Sequence, residues 1–142
     1  MTLEENKALV RRYSELWGKD DLSALPQIVA PDVIVDWPGH MKARGVDALA
    51  RVISGLRRMF PSLVTSLDHV VAEEDQVAVW WTARGVQRGE LMAGIPPTGK
   101  EISWTGSSLY RIVDGRIASE TVNEDFLTLE KEAGLIQETK RG

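Results

Sequence analysis

Residues 101–125, EISWTGSSLYRIVDGRIASETVNED, decide the fold. Residues alternate in character on both sides of Asp114-Gly115, and an Asp-Gly pair between two alternating runs predicts a tight hairpin. On the first arm Ile102, Trp104, Gly106, Ser108 and Tyr110 share one face, while Glu101, Ser103, Thr105, Ser107, Leu109 and Arg111 share the other. The first set is the inner face, with Gly106 leaving room and Ser108 offering a hydroxyl. On the second arm Ala118, Glu120 and Val122 alternate with Ser119, Thr121 and Asn123. If the even set faces inward, Glu120 is a carboxylate between two apolar neighbours, where burial raises its proton affinity and suits it to acid–base work.

The same alternation extends upstream. Val64–Ala72 and Gln76–Val86 read as two more strands joined by Glu73-Glu74-Asp75. Val77, Val79, Trp81 and Ala83 point inward, and Trp80 shares the outer face with Gln76, Thr82 and Arg84. Gly89-Glu90-Leu91-Met92 offers a further short piece of strand before the long turn Gly94–Lys100. Before Pro61 the period becomes 3.6. Gly45–Phe60 reads as a helix with Leu49, Ile53, Leu56 and Phe60 on its stripe. Thr2-Leu3-Glu4-Glu5 fits a capping box for a first helix that ends at Gly18 and carries Leu9, Tyr13 and Trp17. A short second helix begins at Asp20 or Asp21, or at Pro26, and runs to about Val29; Val33–Asp36 is then a strand stopped by Trp37-Pro38-Gly39. Asp125 caps a last helix from Phe126 to Gly134. Helices first and strands after define an α+β domain: a cone-shaped, curved antiparallel sheet packed against three N-terminal helices. The helices cannot fill the concave side, so a pocket is expected there.

Composition narrows the function. The 142 residues suit one domain spanning 1–142. A net charge of −4, from 17 basic and 21 acidic residues, argues against a nucleic-acid partner, which needs a clustered basic footprint. No apolar run reaches the ~18 residues of a membrane span, and the opening MTLEENKALV is charged and periodic, unlike a signal peptide. The absence of Cys excludes thiol chemistry and fits the cytoplasm, while His40 and His69 lack ligand spacing, so no metal site is expected. Five Trp outnumber the two Tyr and two Phe together. Trp17 belongs to the first helix's packing stripe, and Trp80 on the outer face suggests a partner surface. Trp37, Trp81 and Trp104 face the hollow as an aromatic wall, which selects a flat, apolar small molecule.

Several stretches carry a resemblance. Phe60-Pro61, AEEDQVAVWWTARG (72–85), GELMAGIPPTGKEISW (89–104), LYRIVDGRI (109–117) and Asp125-Phe126 resemble the SnoaL-like polyketide cyclase family of the nuclear transport factor two-like superfamily. The resemblance implies an α+β barrel that closes rings by aldol condensation, with an acid–base residue and no cofactor, and a homodimer formed through the outer sheet face that carries Trp80. It places the family acid seven residues after Gly115, at Val122, and a neighbouring position that is usually His at Glu120. The polar pair of the preceding strand falls on Gly106 and Ser108, and the His of many relatives falls on Gln87. A second resemblance, over RRYSELWGKDDLSALPQIVAPDVIVDWP (11–38), is to ketosteroid isomerase. It implies that Tyr13 donates to an enolate, that the proton-abstracting acid lies beside Pro38 (Trp37 holds that place and Asp36 precedes it), and that the oxyanion-side acid falls on Ser108.

These readings lead to a cofactor-independent cyclase or isomerase acting on a polyketide- or terpenoid-like substrate by cyclisation, isomerisation or dehydration. Glu120 and Asp36 exchange protons, Tyr13 and Ser108 donate to the oxyanion, and Trp37, Trp81, Trp104 and Val122 hold the substrate. Two alternatives stand beside it: an epoxide hydrolase or epoxide-opening cyclase using Asp36 with Asp68 or Glu120, and a non-catalytic ligand-binding protein.

Overall fold

The computed structural model describes residues 1–90 and 96–134; the short strand expected over 89–92 and the tail pair Lys140-Arg141 therefore lie partly or wholly outside the described residues. Helix α1 (Leu3–Leu16) opens with the expected capping box. Thr2 Oγ1 accepts from the Glu5 N–H at 3.1 Å, and the Glu5 carboxylate accepts from the Thr2 N–H at 3.2 Å. Only four residues, Leu25–Ile28, form α2, because Pro26 is tolerated in a first helical turn but not deeper. Helix α3 (Val46–Met59) buries Leu49 and Ile53.

Six strands form one sheet, in the order β2-β1-β6-β5-β4-β3. They are β1 (Val29–Trp37), β2 (Met41–Arg44), β3 (Val64–Glu73), β4 (Gln76–Val86), β5 (Glu101–Val113) and β6 (Arg116–Glu124). The β5–β6 hairpin turns at Asp114 and Gly115, both at positive φ (52° and 76°), as its sequence demands. Helix α4 (Phe126–Glu132) follows β6, capped by Asp125, which accepts from the Thr128 N–H at 3.0 Å.

Four features depart from the sequence reading. The sheet is not wholly antiparallel: β1 pairs in parallel with β6, in the register Val35 with Glu120 and Asp36 with Thr121. Strand β1 starts at Val29, four residues earlier than expected, with an irregular stretch before Ile34 that accommodates Pro31. Strand β2 had no signal, since it is an edge strand of four residues with only Ala43 buried. Strand β6 also shifts register against β5 between Arg111 and Ile112, so Ile117 rather than Ala118 is buried at its start, while Glu120 and Val122 keep the inward face.

Helix α1 lies against β3, β4 and β6, and α3 lies against β1 and β2. Leu9, Tyr13, Leu49, Phe60, Ile102 and Ile117 are fully buried between the layers. Each such side chain contributes roughly 1.5–3 kcal/mol of hydrophobic stabilisation. The inner faces of β4, β5 and β6 rise beyond this core and leave space toward one end.

Candidate active site

The sheet and helices flank an open pocket with about 510 Å³ of empty space, open solvent included. Four indoles line it: Trp17 at the end of α1, Trp37 on β1, Trp81 on β4 and Trp104 on β5. The assignment of Trp17 to helix packing alone is corrected here. Its ring meets Trp37 edge-on at 6.3 Å and Tyr13 at 6.3 Å, so it joins the wall while bracing it. Val122 forms part of the floor.

Glu120 enters the cavity wall and is only 5% exposed. The Tyr13 hydroxyl donates to its Oε1 at 2.7 Å. Burial raises the Glu120 carboxyl above its ordinary range, against hydrogen bonds with Tyr13, Ser108 and Tyr110 that pull it down. Burial, reinforced by Glu120, pushes the Tyr13 and Tyr110 hydroxyls far up, so both remain donors across the working pH range. Tyr110 lines the cavity; Tyr13 stands behind the wall with its hydroxyl committed to Glu120. Ser108 is also behind the wall, and its Oγ accepts from Trp81 Nε1 at 3.1 Å.

Glu124, which sequence reasoning missed, is the second cavity acid. Its Oε2 accepts from Trp104 Nε1 at 2.9 Å, and its Oε1 accepts from Trp37 Nε1 at 3.4 Å. Burial pushes its carboxyl up to about 7, with the two indole hydrogen bonds opposing and charge on Glu120 adding to the rise. The signal was present in the strand's parity. Glu124 stands two residues past Val122 and four past Glu120, on the same face, as the last residue of β6.

Asp36 is not brought to this site. It lies on the opposite face of β1 from Val35 and Trp37, with Lys42 Nζ 4.0 Å away, because a one-residue offset from Trp37 reverses a side chain's direction. Asp68, the other acid of the epoxide alternative, sits exposed at a register shift of β3, accepting from Ser66 Oγ at 2.9 Å and Thr82 Oγ1 at 2.6 Å. The carboxylate pairs considered for epoxide opening are therefore not assembled. Gln87 is buried away from the cavity, accepting from Thr98 Oγ1 at 2.9 Å and donating to the Gly89 carbonyl at 3.3 Å. His40 packs on Phe126, with ring centroids 4.1 Å apart.

The room expected at Gly106 is occupied by Trp81. A Cβ there would overlap Cζ2 of that indole and lie 2.6 Å from its Cη2. Trp81 thus lies flat over the backbone of β5, tethered at its nitrogen by Ser108. Gly106→Ala is expected to lift the indole and destabilise the fold by about 1–3 kcal/mol, the usual cost of overpacking. The same substitution should cost almost nothing once Trp81→Ala has removed the obstacle, a non-additivity that urea denaturation of the four-member cycle reads directly.

A curved six-stranded sheet packed against helices is the cone fold of the nuclear transport factor two-like kind. The family model described as SnoaL-like polyketide cyclase matches residues 7–133, and the chain belongs to that family. The solved structure of AclR from Streptomyces galilaeus, a candidate hydroxylase, is 26% identical, with a TM-score of 0.85 over 99% of this chain and 91% of its own. IdmH from Streptomyces antibioticus, a candidate polyketide cyclase, is 26% identical, with a TM-score of 0.80 over 91% of this chain and 98% of its own. A SnoaL-like protein from Jannaschia sp. CCS1 shares the fold at 22% identity, with a TM-score of 0.85 over 94% of each chain. No curated protein matches the chain. No described helix is long and apolar enough to cross a membrane.

Proposed function

We propose that this chain is a cofactor-free acid–base enzyme that cyclises, isomerises or dehydrates a flat, apolar, polyketide- or terpenoid-like carbonyl compound through its enol. The observation that carries the reading is the Glu124 carboxyl, held at the cavity wall by two indole N–H groups with a proton affinity near neutrality. The Glu124 carboxylate removes a proton from the carbon beside the carbonyl, and the electron pair moves onto the carbonyl oxygen. Glu120, in the protonated form that burial favours, and the Tyr110 hydroxyl donate to that oxygen. Glu124 then returns its proton to a different carbon, to the alkoxide formed when the enolate carbon attacks a second carbonyl and closes a ring, or to a hydroxyl that leaves as water. Val122, between the two acids on the same strand face, supplies an apolar bed for the substrate.

The test is solvent exchange. Flat polycyclic ketones incubated with the chain in D2O should take up deuterium beside the carbonyl, read by mass spectrometry, and Glu124→Gln should abolish the uptake. Exchange that persists in that variant removes Glu124 from the mechanism. Saturable binding without exchange by any ketone would leave the ligand-binding alternative.

A homodimer belongs to the same proposal, with work in secondary metabolism in the cytoplasm as its setting. Trp80 is 50% exposed on the outer face of the sheet, and Val71 and Leu109, at 64% and 45%, flank its neighbour Ala78 across β3 and β5. An apolar patch of this kind on a sheet suits an interface between copies. Trp80→Glu is expected to halve the mass measured by light scattering after size exclusion; an unchanged mass, or a monomeric parent, overturns the dimer.

A further inference from the structure

Glu124 ends β6, which lies between β1 and β5 in the sheet, and each flanking strand sends one indole N–H to one of its oxygens. The carboxyl is therefore bridged from both sides by neutral donors. Each donor is itself braced by another aromatic. Trp37 meets Trp17 at 6.3 Å, and Trp104 packs on Phe60 with centroids 5.1 Å apart. Trp37 is 7% and Trp104 2% exposed.

We propose that Trp37 and Trp104 are positioning residues for Glu124. Their N–H groups fix the plane of the carboxyl and set its proton affinity, so that the aromatic wall and the acid work as one unit. This rests on the proposed role of Glu124 in proton exchange.

The choice of donor explains the behaviour. A Lys or Arg in either place would hold Glu124 as a lasting anion, because a hydrogen bond to a full charge is about twice as strong as one between neutral groups. An apolar wall would leave the carboxyl unpartnered and protonated well above neutrality. Two indoles provide an intermediate grip that allows both forms near pH 7. They also occupy one direction on each oxygen and leave the remaining lone pairs for the substrate. The titratable groups that share the cavity wall with Glu124 are Glu120 on its own strand and Tyr110 on β5; α1 contributes Ser14 and Trp17, α3 contributes Leu56, and β3 contributes Thr65 and Leu67, none of them charged. Tyr13 stands behind Glu120, and His40 stacks on Phe126 beyond the end of β6. None of these groups hydrogen-bonds Glu124: burial raises its proton affinity, and the two indoles are the hydrogen bonds that oppose the rise.

Proton exchange and proton affinity can be read separately. Trp104→Phe and Trp37→Phe keep a flat ring and remove one donor each. Carboxyl resonances of the full chain labelled with 13C at Glu side chains would be followed against pH, with Glu124 assigned by its loss in Glu124→Gln. Trp104→Phe should raise the Glu124 midpoint by roughly one pH unit, the size of shift produced by losing a hydrogen bond to the charged form. Trp37→Phe should raise it less, since its hydrogen bond is longer, and the acid limb of the solvent-exchange profile should move up in the same order. A midpoint that stays near neutrality in the parent and does not move in either variant overturns the positioning role and leaves Glu124 as the exchanger. A parent midpoint at the ordinary 4.5 overturns both.

Discussion

Glu124→Gln is expected to lower turnover by roughly 10²–10⁴-fold, the range lost with a general acid–base group. Its folded structure should be nearly unchanged. Glutamine has the same shape, and its carbonyl oxygen can keep the 2.9 Å hydrogen bond from Trp104 Nε1. Its amide then faces the Trp37 N–H, where the existing contact is already long at 3.4 Å. A near-native unfolding midpoint with activity gone therefore separates chemistry from folding. Glu124→Asp is the sharper companion, because it keeps the acid but withdraws it by about one methylene from the two indoles. The measurement is the initial rate of deuterium uptake on one ketone, taken at several pH values for parent and variants. If the Gln variant exchanges at the parent rate, the proton passes through another group.

The second expected result concerns stability. Glu124 titrates near 7 in the folded chain and near its ordinary 4.5 when unfolded. Between those values the folded chain holds a proton that the unfolded chain has released. Stability from this group is thus full below about 4.5 and is lost as pH rises through 7, at up to about 1.4 kcal/mol per pH unit. Glu120, raised by burial, acts with the same sign. The exposed carboxylates Glu5, Asp21, Asp68 and Asp125, held below their ordinary range by hydrogen bonds, act oppositely but only in more acidic solution. Thermal unfolding followed by circular dichroism should accordingly give a higher midpoint at pH 5.5 than at pH 8. Glu124→Gln should flatten part of that slope. A profile that rises steadily from pH 5.5 to 8 would contradict the burial of protonated acids in this cavity.

Much of this site can be read from alternation alone. The parity of β5 and β6 places Trp104, Ser108, Glu120 and Val122 on one face without any knowledge of the fold, and Trp81 and Trp80 separate in the same way on β4. Glu124 lies on that same parity but stands next to Asp125, whose helix-capping signal draws attention to the strand's end as a turn. The acid at Asp36 was attractive by likeness to another family, yet the parity of Val33, Val35 and Trp37 already directed it outward. What alternation cannot supply is which strands become neighbours. The parallel pairing of β1 with β6 joins segments far apart in the chain, and it is this pairing that brings Trp37 to Glu124. Register shifts were equally hidden. The one between Arg111 and Ile112 exchanges Ala118 for Ile117, because a single extra residue reverses every side chain beyond it. Gly106 shows a further gap: a missing side chain marks space, but not which neighbour will fill it.

The parallel β1–β6 pairing also affects how the molecule must be assembled. Strands β3 to β6 succeed one another as antiparallel neighbours, so their contacts close over short stretches of chain. The partnerships at the cavity acids span far more: 87 residues separate Trp37 from Glu124, and 107 separate Tyr13 from Glu120. Contacts of that range carry the greatest loop-closure cost and belong to the slow part of a folding reaction. Each acid finds partners on β5 within the meander, but neither has its full set until the N-terminal third has docked and brought Trp37 and Tyr13. A nascent chain that has completed only its first half contains two indoles of the cavity wall and the tyrosine behind it but neither carboxyl. The cavity acids acquire their full surroundings only where the two ends of the chain meet.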